Sequence, residues 1–449
     1  MTVIEAAALV VLLRIADPQL PAARESLLTP ASGLALIDER WPSEGVVQSQ
    51  PQEPTRPRGW HVRWGAGPSF RYGDAVRLDP HARVRFEALE SPVHSGDEDE
   101  GAIDIARRRI GVEGELGGAL QFEIEREIDS SDPWRDVYVN YRQFAAVRVQ
   151  GGKFKLPFGL EELVGATNLD FVRRSRAATL LAPGRDRGVM VHGRPFTRLV
   201  RYELGVFDHD GRNARVRNPE RVFGGTTWAG RVLVYPFAER KSQLADLRAG
   251  MAFTTSLLPE GFPALRGQTA LSASFYEADV WVNGRRQRTG FEFRWRPGPF
   301  SIQSEYIRVT DERRGESVED TDLSPLVATG WYVSGTWAIT GEHKADGLDR
   351  PRRPLLPGAG FGAIEVAVRV EGVTFRSAAE GEPPSTSPRA DVIAGNGLHG
   401  TTVGVNWYVN RWVKFQANVI RERIDDPARL SLSDQSVVWS RAMRVQLAF

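Results

Sequence analysis

From about residue 80 to the C-terminus, segments of roughly ten residues alternate between apolar and polar side chains. Val84, Phe86 and Ala88 alternate with Arg83, Arg85 and Glu87. Thr289, Phe291, Phe293 and Trp295 oppose Arg288, Glu292, Arg294 and Arg296. Ile364, Val366, Val368 and Val370 oppose Glu365, Ala367, Arg369 and Glu371. A period of two gives a strand one apolar and one polar face. Strands of soluble sheets average about five or six residues. About ten residues is the length that crosses a membrane at a tilt, and about sixteen such segments is an even, porin-sized count. The pattern predicts an all-β, transmembrane, antiparallel barrel.

Composition removes the competing classes. The chain has 449 residues, with 58 Lys+Arg against 57 Asp+Glu, a net charge of +1. Nothing in that balance points to nucleic acid, which favours a strongly basic domain. Lysine occurs only at 153, 155, 241, 344 and 414, so arginine numbers 58 − 5 = 53. Base composition accounts for the larger part of that bias, which also supplies planar, permanently charged binders of oxyanions. There is no cysteine, hence no disulfide framework or thiol chemistry. Mean hydropathy is −0.33, and no stretch reaches the roughly 18 apolar residues of a membrane helix.

The chain divides into 1–25, 26–69 and 70–449. Ile4 to Ile15 is apolar apart from Glu5 and Arg14, then come Pro18, Pro21 and Ala22-Ala23, a signal-like core without a basic start. Pro42, Pro51, Pro54 and Pro57 make 26–69 an irregular arm. Short and long connections alternate through the rest, as periplasmic turns and external loops do. The long ones are 91–101, 155–186, 310–326, 341–360, 376–397 and 424–434. The last segment sets Trp439, Met443, Val445, Leu447 and Phe449 on one stripe, with Arg441 the charged exception.

No cofactor or catalytic motif stands out. The seven histidines are scattered, with no GxSxG and no HExxH. The acidic run Asp97 to Glu100, near His94, lacks calcium-loop spacing, and Asp208, Asp210 and Asn213 read as a turn. A soluble β-rich binding protein or a barrel enzyme stays open on pattern alone.

Four stretches carry a resemblance: ARRRIGVEGELGGALQFEIE at 106–125, GGKFKLPFGLEELVGATNLDFVRR at 151–174, DHDGRNA at 208–214 and VGVNWYVN at 403–410. With the ending RAMRVQLAF, they make the chain resemble the phosphate-selective porins O and P of Gram-negative outer membranes. That resemblance implies a sixteen-stranded homotrimeric barrel in outer-membrane lipid, with its third external loop folded inward. It implies passive diffusion of small anionic or polar solutes, without cofactor or metal. The family's paired strand arginines fall on Arg108 and Arg109, and its loop arginine on Arg174. Other positions depart. A family lysine is Glu162 here, the aromatic cradle becomes Gly111 and Lys155, a strand lysine becomes Gln150, and an acidic position becomes Arg135. These changes remove the basis for strict phosphate selectivity. Lys153, Lys155, Arg173, Arg176, Arg185 and Arg187 keep the loop basic and the anion preference intact. A pore for a sugar or organic acid is the alternative that the departures motivate.

Overall fold

The computed structural model describes residues 59–93, 103–128, 130–196, 198–211, 225–277, 279–344, 351–355, 358–429 and 435–449. Its strands begin with β1 Trp60–Trp64, β2 Pro68–Tyr72, β3 Val76–Glu90, β4 Ile103–Leu116, β5 Leu120–Glu127, β6 Trp134–Tyr141 and β7 Arg148–Lys155. Next come β8 Arg185–Phe196, β9 Val200–Phe207, β10 Thr227–Val234, β11 Arg248–Gly261, β12 Gly267–Gln268, β13 Ser274–Tyr276 and β14 Val282–Trp295. The chain ends with β15 Phe300–Arg313, β16 Leu323–Ala338, β17 Ala363–Ser377, β18 Asn396–Tyr408, β19 Val413–Ile424 and β20 Val437–Ala448. Two short helices, α1 Leu160–Leu163 and α2 Arg176–Leu181, lie between β7 and β8.

Sixteen strands, β3–β11 and β14–β20, pair antiparallel in chain order, and β20 returns to β3 with Arg441 opposite Glu90 and Ala448 opposite Arg83. The C-terminal Phe449 exchanges backbone bonds of 3.0 and 3.1 Å with Ala82. Closure leaves the sixteen-strand wall no edge, which is what hydrocarbon demands of it.

The wall is inside out. Trp228 is 59% exposed, and Phe291, Trp331, Val333, Val368, Val370 and Met443 also face outward. Among the described residues the five largest fully buried side chains are all arginines: Arg248, Arg286, Arg288, Arg313 and Arg369. In water each exposed apolar Å² costs about 25 cal/mol, so this outer surface is stable only against lipid. A soluble sandwich would have the opposite burial. Arg441 faces outward at the β20–β3 seam, where Glu90 meets it at 3.1 Å.

Buried charge must be paired. Arg286 grips Asp311 at 2.5 and 2.6 Å and reaches Asp210 at 2.9 Å. Arg288 holds the same Asp210 at 2.7 Å. The turn expected around Asp208 and Asp210 is thus anchored to β14, and through Ser256 to β11. Asn213, the 97–100 run, His94 and residues 1–58 lie outside the described residues.

Three expectations on the connections change. Residues 60–72, of which 60–69 belong to the expected irregular arm, form the β1–β2 hairpin, and β2 pairs with β3 where β20 has ended. Two five-residue strands flanking a Gly65–Gly67 turn are too short to register as a ten-residue pattern. The 341–360 connection was expected among the external loops. Strand order puts it, between β16 and β17, at the end of the barrel that carries Phe449. The third change is that 208–226 and 262–281, both missed, lie at the opposite end with 156–184.

Replacing Arg286 by Gln strands the fully buried Asp311 carboxylate. The expected loss is about 3–5 kcal/mol, read as an earlier midpoint in the heat-induced mobility shift of the detergent-extracted barrel.

Candidate functional site

Residues 156–184 connect β7 to β8, far more chain than a hairpin needs. The segment bonds to buried side chains of strands remote in sequence. Glu305 of β15 accepts the Leu160 and Glu161 amides at 2.9 and 3.3 Å. Asn418 of β19 accepts the Val172 amide at 2.7 Å. Lys414 and Gln416 donate to the Leu169 carbonyl at 2.7 and 3.1 Å, and Asn406 donates to that of Asp170 at 2.9 Å. Arg444 donates to the Val172 carbonyl and Arg369 to that of Arg173. Lys344, from the connection at the Phe449 end, meets Asp170 at 2.7 Å and Glu365 at 2.6 Å.

Local sequence explains how the segment lies so close to the wall. Gly159 has φ +84, and a Cβ there would lie 2.9 Å from a Glu305 oxygen. Ser175 caps α2, accepting the Ala178 amide at 3.2 Å. Ala177 and Leu181 of α2 then pack over Gly330, where a Cβ would meet them at 2.9 Å. Phe158, Leu180 and Leu181 join Ile307, Val309, Leu326, Ala328, Val373 and Phe375 in one buried apolar cluster.

The expected site residues separate into groups. Lys155, Glu162 and Arg174 come together: Lys155 and Arg174 lie 3.9 and 3.5 Å from the Glu162 carboxylate. Both also donate to loop carbonyls, Lys155 to Glu162 and Val164, Arg174 to Glu161 and Val164. Burial works to raise the Glu162 carboxyl, but Arg174, Lys155, Arg185 and Arg107 hold it below the usual carboxylate range. Arg185 is itself clamped on Asp136 at 2.6 Å. Arg173 lies 3.5 Å from Glu87, and Arg176 donates to the Thr269 and Arg174 carbonyls at 2.9 and 2.7 Å. Lys153 sits on Asp132 at 2.8 Å, and Arg187 is exposed beside Asp208.

The strand arginines need correction. Arg109 is buried and bound to Glu127 at 2.7 Å and Glu125 at 2.9 Å. Arg108 is exposed on the opposite face, with Ile110. Neighbours along a strand point to opposite sides, so an adjacent pair cannot both face inward. The second inward arginine is Arg107, 3.8 Å from Glu127. Its signal was already present in its parity with Arg109. Glu305, Lys344 and Asn418 had no such signal, because their partners are more than a hundred residues away.

Among the described residues, His81, Glu123 and Glu125 lie within 4.8 Å of one another, as metal ligands do. Arg83 and Arg109 already hold Glu125 at 2.9 Å, which makes the group part of the ion-pair network.

Residues 76–449 match the family model of the phosphate-selective porins O and P. The chain belongs to that family. It is 24% identical over 347 residues to Porin O of Pseudomonas aeruginosa, covering 69% of this chain and 75% of that one. The fold is similar to that of in-vitro folded OmpT of Vibrio cholerae in its trimer form, with TM-score 0.52 and 13% identity over 84% of this chain and all of that one. It is likewise similar to the anion-selective porin of Comamonas acidovorans, with TM-score 0.52 and 10% identity over 83% and 100%. This porin O and P member is an outer-membrane channel with a preference for anions.

Parity separates three neighbouring arginines by experiment. Arg107→Gln and Arg109→Gln each lower the anion-to-cation permeability ratio, by about twofold to fivefold for one charge at the pore wall. Arg108→Gln leaves the ratio unchanged. Reversal potentials under a KCl gradient read all three.

Proposed function

We propose that residues 156–184 are the inward-folded third external loop of this porin and form its constriction. Small hydrophilic solutes, oxyanions before others, would pass between that loop and the wall formed by β4 to β8. The observation that carries the reading is the cluster in which Lys155, Arg174, Arg107 and Arg185 surround the Glu162 carboxylate, with Asp136 and Glu127 as further counter-charges. Cations in excess at a narrow point lower the barrier for an anion. Guanidinium forks replace part of the hydration shell that it sheds on entry. Lys153, Arg173 and Arg176 extend the positive field around the loop.

The same network argues against strict phosphate selectivity. Most of these cations already hold carboxylates or loop carbonyls, so their forks are partly spoken for. That leaves field strength rather than a dedicated phosphate cradle. It supports a pore open to several oxyanions, with organic carboxylates as the second reading. A homotrimer is part of the proposal, supported by the trimer form of the structurally similar OmpT.

Glu162 supplies the pH dependence. Its carboxyl is held below the ordinary value of 4.5, so it stays ionised throughout the neutral range. Lowering the pH through the folded-state value removes the negative charge and raises anion preference. It also removes the stabilisation that the ionised carboxylate gives above the unfolded-state value. Glu162→Gln is expected to raise the anion-to-cation permeability ratio about threefold at neutral pH and to flatten the acid rise. Arg174→Gln is expected to lower the ratio by a similar factor. Reversal potentials of the two variants moving in the same direction, or not at all, would remove this loop from the selectivity mechanism.

A further inference from the structure

At the Phe449 end of the barrel the inner wall carries a row of charged and polar groups. Arg248 of β11 lies directly opposite Arg294 of β14, and Gln303 of β15 lies opposite Arg294 on its other side. Val234 pairs with Ala249, which brings Tyr235 next to Arg248 at the end of β10. Like charges directly opposite on a sheet repel.

The carboxylates nearest to Arg248 along these strands are engaged elsewhere. Glu292 is held by Arg231 at 2.7 and 3.0 Å. Glu203 is shared by Arg231 at 3.2 Å and Arg201 at 2.6 Å. Arg248 is 1% exposed, yet its Nε, Nη1 and Nη2 have no hydrogen-bond partner among the described residues. The Tyr235 hydroxyl is buried without a partner as well. Leaving a guanidinium inside the wall with no oxygen is among the costliest arrangements a protein can hold.

The geometry points to a second oxyanion site here, in which Arg248, with Arg294 beside it and the Tyr235 hydroxyl, binds phosphate or a similar tetrahedral oxyanion at the Phe449 end of the pore. A guanidinium fork and a hydroxyl donor match two or three oxygens of one such ion. Burial alone would push the Tyr235 phenol up, but Arg248, Arg201, Arg194 and Arg294 bring it below its usual range, which marks the field an anion would meet. Arg294 and Arg296 also line, with Ser301, Gln303 and Lys344, a small cavity bounded by loop residues Asn168 to Asp170. That cavity places Arg294, one member of the row, beside the loop. The site rests on the reading of the barrel as an anion pore, but it uses other strands than the Lys155–Arg174 cluster.

The test is block of chloride current in planar bilayers by inorganic phosphate, added to each chamber in turn. Wild type is compared with Arg248→Gln, Arg248→Lys and Tyr235→Phe. Losing one charge-assisted fork is expected to raise the half-blocking phosphate concentration about tenfold from one chamber only. Tyr235→Phe, which removes one hydroxyl just past the end of β10, raises it about threefold, and Arg248→Lys falls between. Reversal potentials are read in parallel, and each variant is expected to stay anion-selective. Unchanged block in Arg248→Gln, or in Tyr235→Phe and Arg248→Lys if the first does not fold, with anion selectivity retained, overturns this site alone. Loss of anion selectivity in the wild type overturns the pore reading instead.

Discussion

An arginine inside a closed barrel has to find oxygen. The outer face of this wall is committed to hydrocarbon, so most of the charged side chains of its strands turn inward. Once there, each guanidinium needs carboxylates or carbonyls, because bulk water no longer surrounds it. Cross-strand glutamates and aspartates supply many of these oxygens, as in Arg231 with Glu203 and Glu292, or Arg444 with Glu87. The backbone of residues 156–184 supplies more, to Arg369, Lys414 and Arg444 from the wall and to Lys155 and Arg174 at its own base.

That demand ties the loop to the pore. The same bonds that satisfy the wall's cations hold the segment in one place, and Glu305 and Asn418 return the favour by accepting its amides. In the proposed mechanism a permeating anion competes with oxygens already present. Selectivity then follows from the local excess of positive charge, with Glu162 as the counterweight. A site in which most cations are already engaged favours fast passage over tight binding.

The sequence made the fold legible because period-two alternation over long segments has one physical solution when its polar face is charged. Val366 to Glu371 and Phe291 to Arg296 landed on the faces that their parity required. The site was legible only in part. Resemblance points to Lys155, Glu162 and Arg174 together, but it also pairs Arg108 with Arg109, which the alternation that places everything else forbids; the parity partner of Arg109 is Arg107. The anchors Glu305, Lys344, Asn406 and Asn418 were invisible because their roles depend on ring closure, which sets strands late in the chain beside a loop in its first half. The 341–360 connection went to the wrong end because length alone does not fix the side, whereas counting antiparallel strands does.

The most direct test of the account is the reversal potential of the purified wild-type protein in a planar bilayer under a KCl gradient, with and without phosphate. The account predicts an anion-selective potential and a phosphate effect that is graded rather than a tight block. A potential near zero, or one selective for cations, would contradict it.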